Sequence, residues 1–430
     1  MFMRGYIHFQ LLGILSEVLS GQPEGSKRDI EQADLKTYES TQTRMRYTPD
    51  IVLRGMLKES ISHHLFPITV DGLLSRKNET ISAILRSKRV RELYRNEIIR
   101  QAQKTADFLL FYEYLASKGL HPVVMKGIIC WSLYPQPEHR SSVDEDLLID
   151  PSEFDSIHKA ILAYGLEPVS TEDEIRTAWE VSYESREKHL YIEIHKMPFA
   201  PDAKAYACLN NCFEGAKERS IAMEIYATSV RTMAPTDHIM YLVCHAYKHF
   251  LHGGVGIRQV CDLCMMAEKW DEGIDWETVR DKCEKVRIAK FAAGLFRIGE
   301  RYLECQMPPV FKDIAVDPDP LLRDILSGGL YGVEDLDRAH SALMTLDAVA
   351  ADRAGRKKRA VAGSVFLPLK SMSKKYPYLR KLPFLLPVAW VQRVVGYISE
   401  QKRTKSVDPS RTVQIGRRRI DLLREYDIIR

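Results

Sequence analysis

No run of about 18 uncharged apolar residues, the length a membrane-spanning helix needs, occurs in this chain. The best candidate, Phe384 to Ile398, is shorter and carries Arg393. No small-x-small cleavage pattern follows the first apolar residues, and His8 and Gln10 interrupt them. Met1 to Leu15 is therefore expected to be an amphipathic helix instead of a secretory signal. Eight cysteines without such a signal point to reduced thiols and a cytoplasmic protein. Cys208-x-x-x-Cys212 and Cys261-x-x-Cys264 would together supply four zinc ligands. Both pairs fall in helical segments without turn-forming flanks, so packing cysteines are expected. There is no internal repeat and no low-complexity tract, which excludes solenoids and propellers.

What is present is ordinary in bulk and uneven in distribution. The 430 residues are 45% hydrophobic and 28% charged, with a formal net charge of +4, enough for two or three domains with a sizeable core. Residues 353–430 hold 20 Lys/Arg against 5 Asp/Glu, leaving 42 against 53 for the rest, so the tail is basic and the body acidic.

Apolar spacing predicts helices through most of residues 1–114, the last ending at Lys118-Gly119. A short strand at Pro122 to Met125, a short helix at Ile128 to Leu133 and a second strand at Val143 to Ile149 follow. A helix over Glu153 to Tyr164 closes at Gly165. Thr171 to Arg186 reads as a charged loop, with a helix around Ala178. His189 to Met197 alternates Leu190, Ile192 and Ile194 with Tyr191, Glu193 and His195, a half-buried strand. From about Asp237 the chain is helical again. The expected division is an N-terminal helical region (1–114), a core (115–235), a helical domain (236–345) and a basic, partly helical region (346–430).

The chemistry concentrates at Val123-Val-Met-Lys-Gly127 and Arg140-Ser-Ser-Val-Asp-Glu-Asp146-Leu-Leu-Ile149. In a strand, Asp144 and Asp146 share a face with carboxylates roughly 6 to 7 Å apart, at the mouth of a buried apolar run. Buried paired acids call for a compensating cation, and Mg²⁺ is the usual one. With Glu193 on a neighbouring strand they would form a two-metal site for in-line displacement at phosphorus. Gly127 admits a phosphate to the backbone, the helix at Ile128 offers free N–H groups, and Lys126 and Arg140 can neutralise phosphate charge. His195 shares a face with Glu193. His245 and His249 lie one turn apart on a helix, expected to dock it on the sheet, with substrate contact as the second reading. Arg258 and Asp262 are expected to form an intrahelical ion pair, with a phosphate contact by Arg258 as the second reading.

The order Met125-Lys-Gly127, Tyr134-Pro135, Arg140 to Ile149, Glu193-Ile-His195, His245-Ala-Tyr-Lys-His249 and Arg258-Gln-Val-Cys-Asp262 resembles the uncharacterised bacterial nucleotidyltransferase family of the DNA polymerase beta-like superfamily. Tyr376-Pro and Leu386-Pro-Val-Ala-Trp390 extend the resemblance. It implies an α+β protein, a polymerase beta-like mixed sheet with flanking helices followed by a mainly helical C-terminal region. It further implies Mg²⁺-dependent transfer of a nucleoside monophosphate from a nucleoside triphosphate to a small-molecule or protein acceptor, with release of pyrophosphate. Asp144 and Asp146 would be metal ligands and Glu193 the third acid or general base. One departure stands out: the wider superfamily's turn reads Gly-Ser or Gly-Gly, whereas Gly127 is followed by Ile128. The alternative is a non-catalytic module that keeps the scaffold to bind a nucleotide or partner. Nucleic acid is not the expected partner. The basic tail, with Arg356-Lys-Lys-Arg359 and Arg417-Arg-Arg419, is expected to dock on the acidic body, with peripheral contact to an anionic membrane as the second reading.

Overall fold

Apolar strands too short to stand alone are assembled here into one mixed sheet. The structure is a computed structural model describing residues 2–20, 49–76, 78–328, 336–355, 369, 372, 376–380, 382–392 and 409–430. Among the described residues seven strands are formed: β1 (Val123–Val124), β2 (Glu145–Leu148), β3 (Glu167–Pro168), β4 (Glu180–Ser185), β5 (Leu190–His195), β6 (Ile221–Ile225) and β7 (Thr228–Thr232). Their order is β3-β4-β5-β2-β1-β7-β6. β2 runs antiparallel to β1 and parallel to β5, and β1 runs parallel to β7. This is the α+β mixed sheet with flanking helices and a mainly helical C-terminal half.

The parallel β2–β5 pair needs a crossover, which the helix Phe154–Tyr164 supplies. A reciprocal cap between Asp150 and Glu153 starts that segment, and Gly165, at φ 96°, ends the helix in the left-handed conformation that glycine adopts without strain. The stretch from Thr171 to Arg186, read as a loop with a helix around Ala178, holds a capped helix, Glu172–Thr177, that ends at Ala178, and then β4 in place of a loop. Its exposed charges hide an alternation in which Val181 and Tyr183 are buried. The hairpin β6–β7 is likewise not foreseen in the sequence.

One hydrophobic cluster runs from Ile7 to Ile429. The N-terminal helix, Phe2–Ser20, buries Leu11, Leu12, Ile14 and Leu15, which point to several sides, so it is a core helix and not an amphipathic surface one. It packs against helices Pro49–Ser62, Phe66–Leu74 and Ala289–Leu303. Helix Pro409–Glu425 packs on Leu336–Arg353, and its Arg419 lies 3.7 Å from Asp324 of helix Asp319–Gly328. Arg356 to Arg359 and residues 393–398 lie outside the described residues. All eight cysteines are free and all but Cys208 are buried, as packing residues would be. Among the described residues no helix is long and apolar enough to cross a membrane.

Candidate active site

The pairing of β2 with β5 sets Asp146 directly beside Glu193. Side chains alternate along each strand, so Asp146, Glu193 and His195 share one face while Glu145 takes the other. His195 Nε2 lies 3.2 Å from Asp146 Oδ1 and 3.7 Å from Glu193 Oε2, and its Nδ1 lies 3.7 Å from Glu180 Oε2. Among the described residues these three form the one group able to close on a metal ion, with ligand atoms all within 4.8 Å of one another. Asp146 Oδ2 is buried without a hydrogen-bond partner, an orphan acceptor of the kind a cation satisfies. Asp144 sits half-buried just before β2, and its charge is felt at Glu193.

The electrostatics follow from this crowding. Burial pushes Glu193 up to about 7, and Asp146 adds to the rise while the His195 hydrogen bond opposes it. Burial would lower His195, but its bonds to Asp146 and Glu193 outweigh that and lift it to about 9. Asp146 is held below the usual carboxylate range: burial works to raise it, and the His195 hydrogen bond and the Lys126 charge overcome that. Helix Pro235–His252 supplies the facing wall. Its His245 and His249, with Nε2 atoms 3.1 Å apart, are both driven well below the ordinary histidine range by burial and by Lys126. The Trp179 ring lies tilted against His195, centroids 5.5 Å apart, with the Lys248 ammonium 5.6 Å from the Trp179 ring centroid.

Glu145 is the residue that sequence reasoning passed over. Buried on the opposite face, it pairs with Lys104 of helix Lys88–Ser117 at 2.9 Å and accepts the Ile128 N–H at 2.7 Å. The N–H expected to meet a phosphate is thus engaged by the protein's own carboxylate. Gly127 has φ 55°, and a Cβ there would overlap the Glu145 carboxylate, so the glycine is required by Glu145. A buried acid flanked by Asp144 and Asp146 was the available signal.

Arg140, expected at phosphate, is fully buried, with its fork on both oxygens of Asp262 at 2.9 and 2.7 Å and a further bond to the Gly127 carbonyl at 3.3 Å. Tyr134 donates to the same Asp262 at 2.8 Å. Asp262 is therefore not the intrahelical partner of Arg258. That guanidinium, also buried, donates to the Ser141 carbonyl, its Nε has no partner, and among the described residues no carboxylate lies within ion-pair distance. Its charge and that of Arg100 add to burial in bringing nearby His64 down to about 4. The scattered Tyr-Pro, Lys-Gly, Arg and Arg-x-x-x-Asp elements thus converge on one braced turn. A family model described as an uncharacterised nucleotidyltransferase matches residues 53–304. The chain belongs to this family. No curated protein and no solved structure matches it. In this member of the nucleotidyltransferase family the match takes in both acid strands, the braced turn and the histidine helix, and stops short of Tyr376-Pro and Leu386 to Trp390.

Proposed function

We propose that this chain transfers a nucleoside monophosphate from a nucleoside triphosphate to a hydroxyl or similar group on a small molecule or protein, forming the new O–P bond as pyrophosphate leaves. The observation that carries it is Asp146 set beside Glu193 across β2 and β5, with Asp146 Oδ2 buried and lacking a hydrogen-bond partner. Asp146 and Glu193, with Asp144 at the strand mouth, would hold the divalent cations, for which Mg²⁺ suits an oxygen-rich set. A cation so bound neutralises the triphosphate and eases in-line displacement. Glu193, near 7, is poised to take the acceptor's proton. His195 steadies Asp146, and Lys126, close enough to depress both Asp146 and His245, neutralises the leaving phosphates. His245 and His249 bound the substrate space.

Arg258, a buried guanidinium whose Nε has no hydrogen-bond partner, is the second phosphate-binding cation in this reading. Arg258→Ala is expected to raise the nucleotide KM about tenfold or more with a smaller change in kcat, measured by pyrophosphate release; an unchanged KM removes Arg258 from the site. A proton on Glu193, held at about 7, occupies an oxygen a cation would take. Mn²⁺ or Mg²⁺ affinity by calorimetry should accordingly climb with pH over roughly 6 to 8, and a flat profile would exclude Glu193 as a ligand.

The second reading, a binding module, is favoured by one observation: Glu145 occupies the Ile128 N–H where a triphosphate would otherwise bind. Calorimetry with several nucleoside triphosphates and Mg²⁺, alongside pyrophosphate release over candidate acceptors, separates the two. Release supports transfer, and binding without release supports the module.

A further inference from the structure

Residues 382–392 build a surface that the nucleotidyltransferase reading does not use. A small hydrophobic cluster, Met372, Leu379 and Ala389, stands apart from the main core, with Leu385, Leu386 and Trp390 packed on it. The same segment turns Leu382 (42% exposed), Phe384 (72%), Val388 (46%) and Val391 (62%) to solvent. Phe384, Val388 and Val391 follow the four- and three-residue spacing of one helical face, and residues 386–392 are helical. Four exposed large apolar side chains within ten residues form a patch that a soluble surface seldom carries without a partner.

The charge around the patch says which partner. Residues 353–399 contain 11 Lys/Arg and no Asp or Glu. Arg380 and Lys381 immediately precede Leu382, and Arg393 follows Val391 by two positions. The acidic body has not covered this segment, although it does hold the later helix Pro409–Glu425. A nucleic acid would stack its bases on several exposed rings, yet Tyr376, Tyr378 and Trp390 are half-buried against the small cluster, which leaves Phe384 as the exposed ring among the described residues of this segment. What remains in solvent is chiefly aliphatic, useful among acyl chains and of no use to phosphodiesters.

We propose that the Leu382–Val391 surface seats the protein on an anionic lipid membrane, with Phe384, Val388 and Val391 entering the headgroup–acyl boundary and the positive charge that flanks the segment in sequence attracting acidic headgroups. The full chain is expected to co-sediment with mixed phosphatidylcholine–phosphatidylglycerol vesicles and to partition at least about tenfold less onto pure phosphatidylcholine. High salt should weaken that binding, and Phe384→Asp or Val391→Asp, at solvent-facing positions, should each weaken it about tenfold or more without shifting the melting temperature. Failure to bind the mixed vesicles, or binding unmoved by both substitutions, overturns the proposal. So does salt-sensitive binding to single-stranded RNA with no vesicle binding, which would make the segment a nucleic-acid surface instead.

Discussion

Asp146→Asn should lower nucleotidyl transfer by roughly a thousandfold while the protein stays folded. The substitution keeps the size of the side chain and removes the charge that Asp146 presents beside Glu193. It also converts an acceptor, Oδ2, with no hydrogen-bond partner into a weaker ligand or a donor. A cation at about a hundred times its dissociation constant adds about 2.7 kcal/mol to a protein that binds it only when folded, so Mg²⁺ should raise the melting temperature of the parent chain. In the variant that increment should vanish. His195 offers an independent readout: without the Asp146 charge that helps lift it to about 9, its titration by NMR should move back toward the ordinary histidine range. A variant that retains both the turnover and the Mg²⁺-dependent shift would sink the assignment of Asp146 as a ligand.

Arg140→Ala should destabilise the fold by about 3 to 5 kcal/mol, the cost of leaving a buried charge uncompensated. Asp262 would remain in a dry site with only the Tyr134 hydroxyl bonded to it and the Arg258 charge near it, and the Gly127 carbonyl would keep only the Trp131 N–H. Arg140→Lys should rescue little, because a point ammonium cannot span both Asp262 oxygens and the carbonyl together. Replacing both partners with apolar residues, Arg140→Met with Asp262→Leu, should recover much of the stability, since burying the pair is itself costly. Urea unfolding midpoints for the three variants test this. If the double variant is less stable than Arg140→Ala, the pair contributes more than the removal of an unmatched charge.

The parts of this site that follow a period were legible in the sequence. The alternation from Leu190 to His195 gave β5 and the side of Glu193, and the apolar run after Asp146 gave β2. That the two strands lie side by side was stated only as a condition, because no local pattern records which strands pair. Partnership across long separations was the main loss. Asp262 was assigned to Arg258 because they are one helical turn apart, yet it pairs with Arg140, 122 residues away. Glu145 was overlooked for a related reason: its partners Lys104 and Ile128 lie on other elements, and a carboxylate between two others looks like more of the same acid cluster. β4 was lost because most of its surroundings are charged and only two of its residues reach the core.

The parallel pairing of β2 with β5 also fixes when in the life of the chain the acids can meet. Asp146 and Glu193 are 47 residues apart and on strands that cannot be joined by a tight turn, so their encounter must wait for the crossover helix and for β4 to fold back against β5. Such non-local pairings form slowly, since the entropy of closing the loop is lost before any contact is gained. During synthesis the cluster cannot assemble until His195 has left the ribosome. A nascent chain carrying only Asp144 and Asp146 therefore lacks the three-residue group.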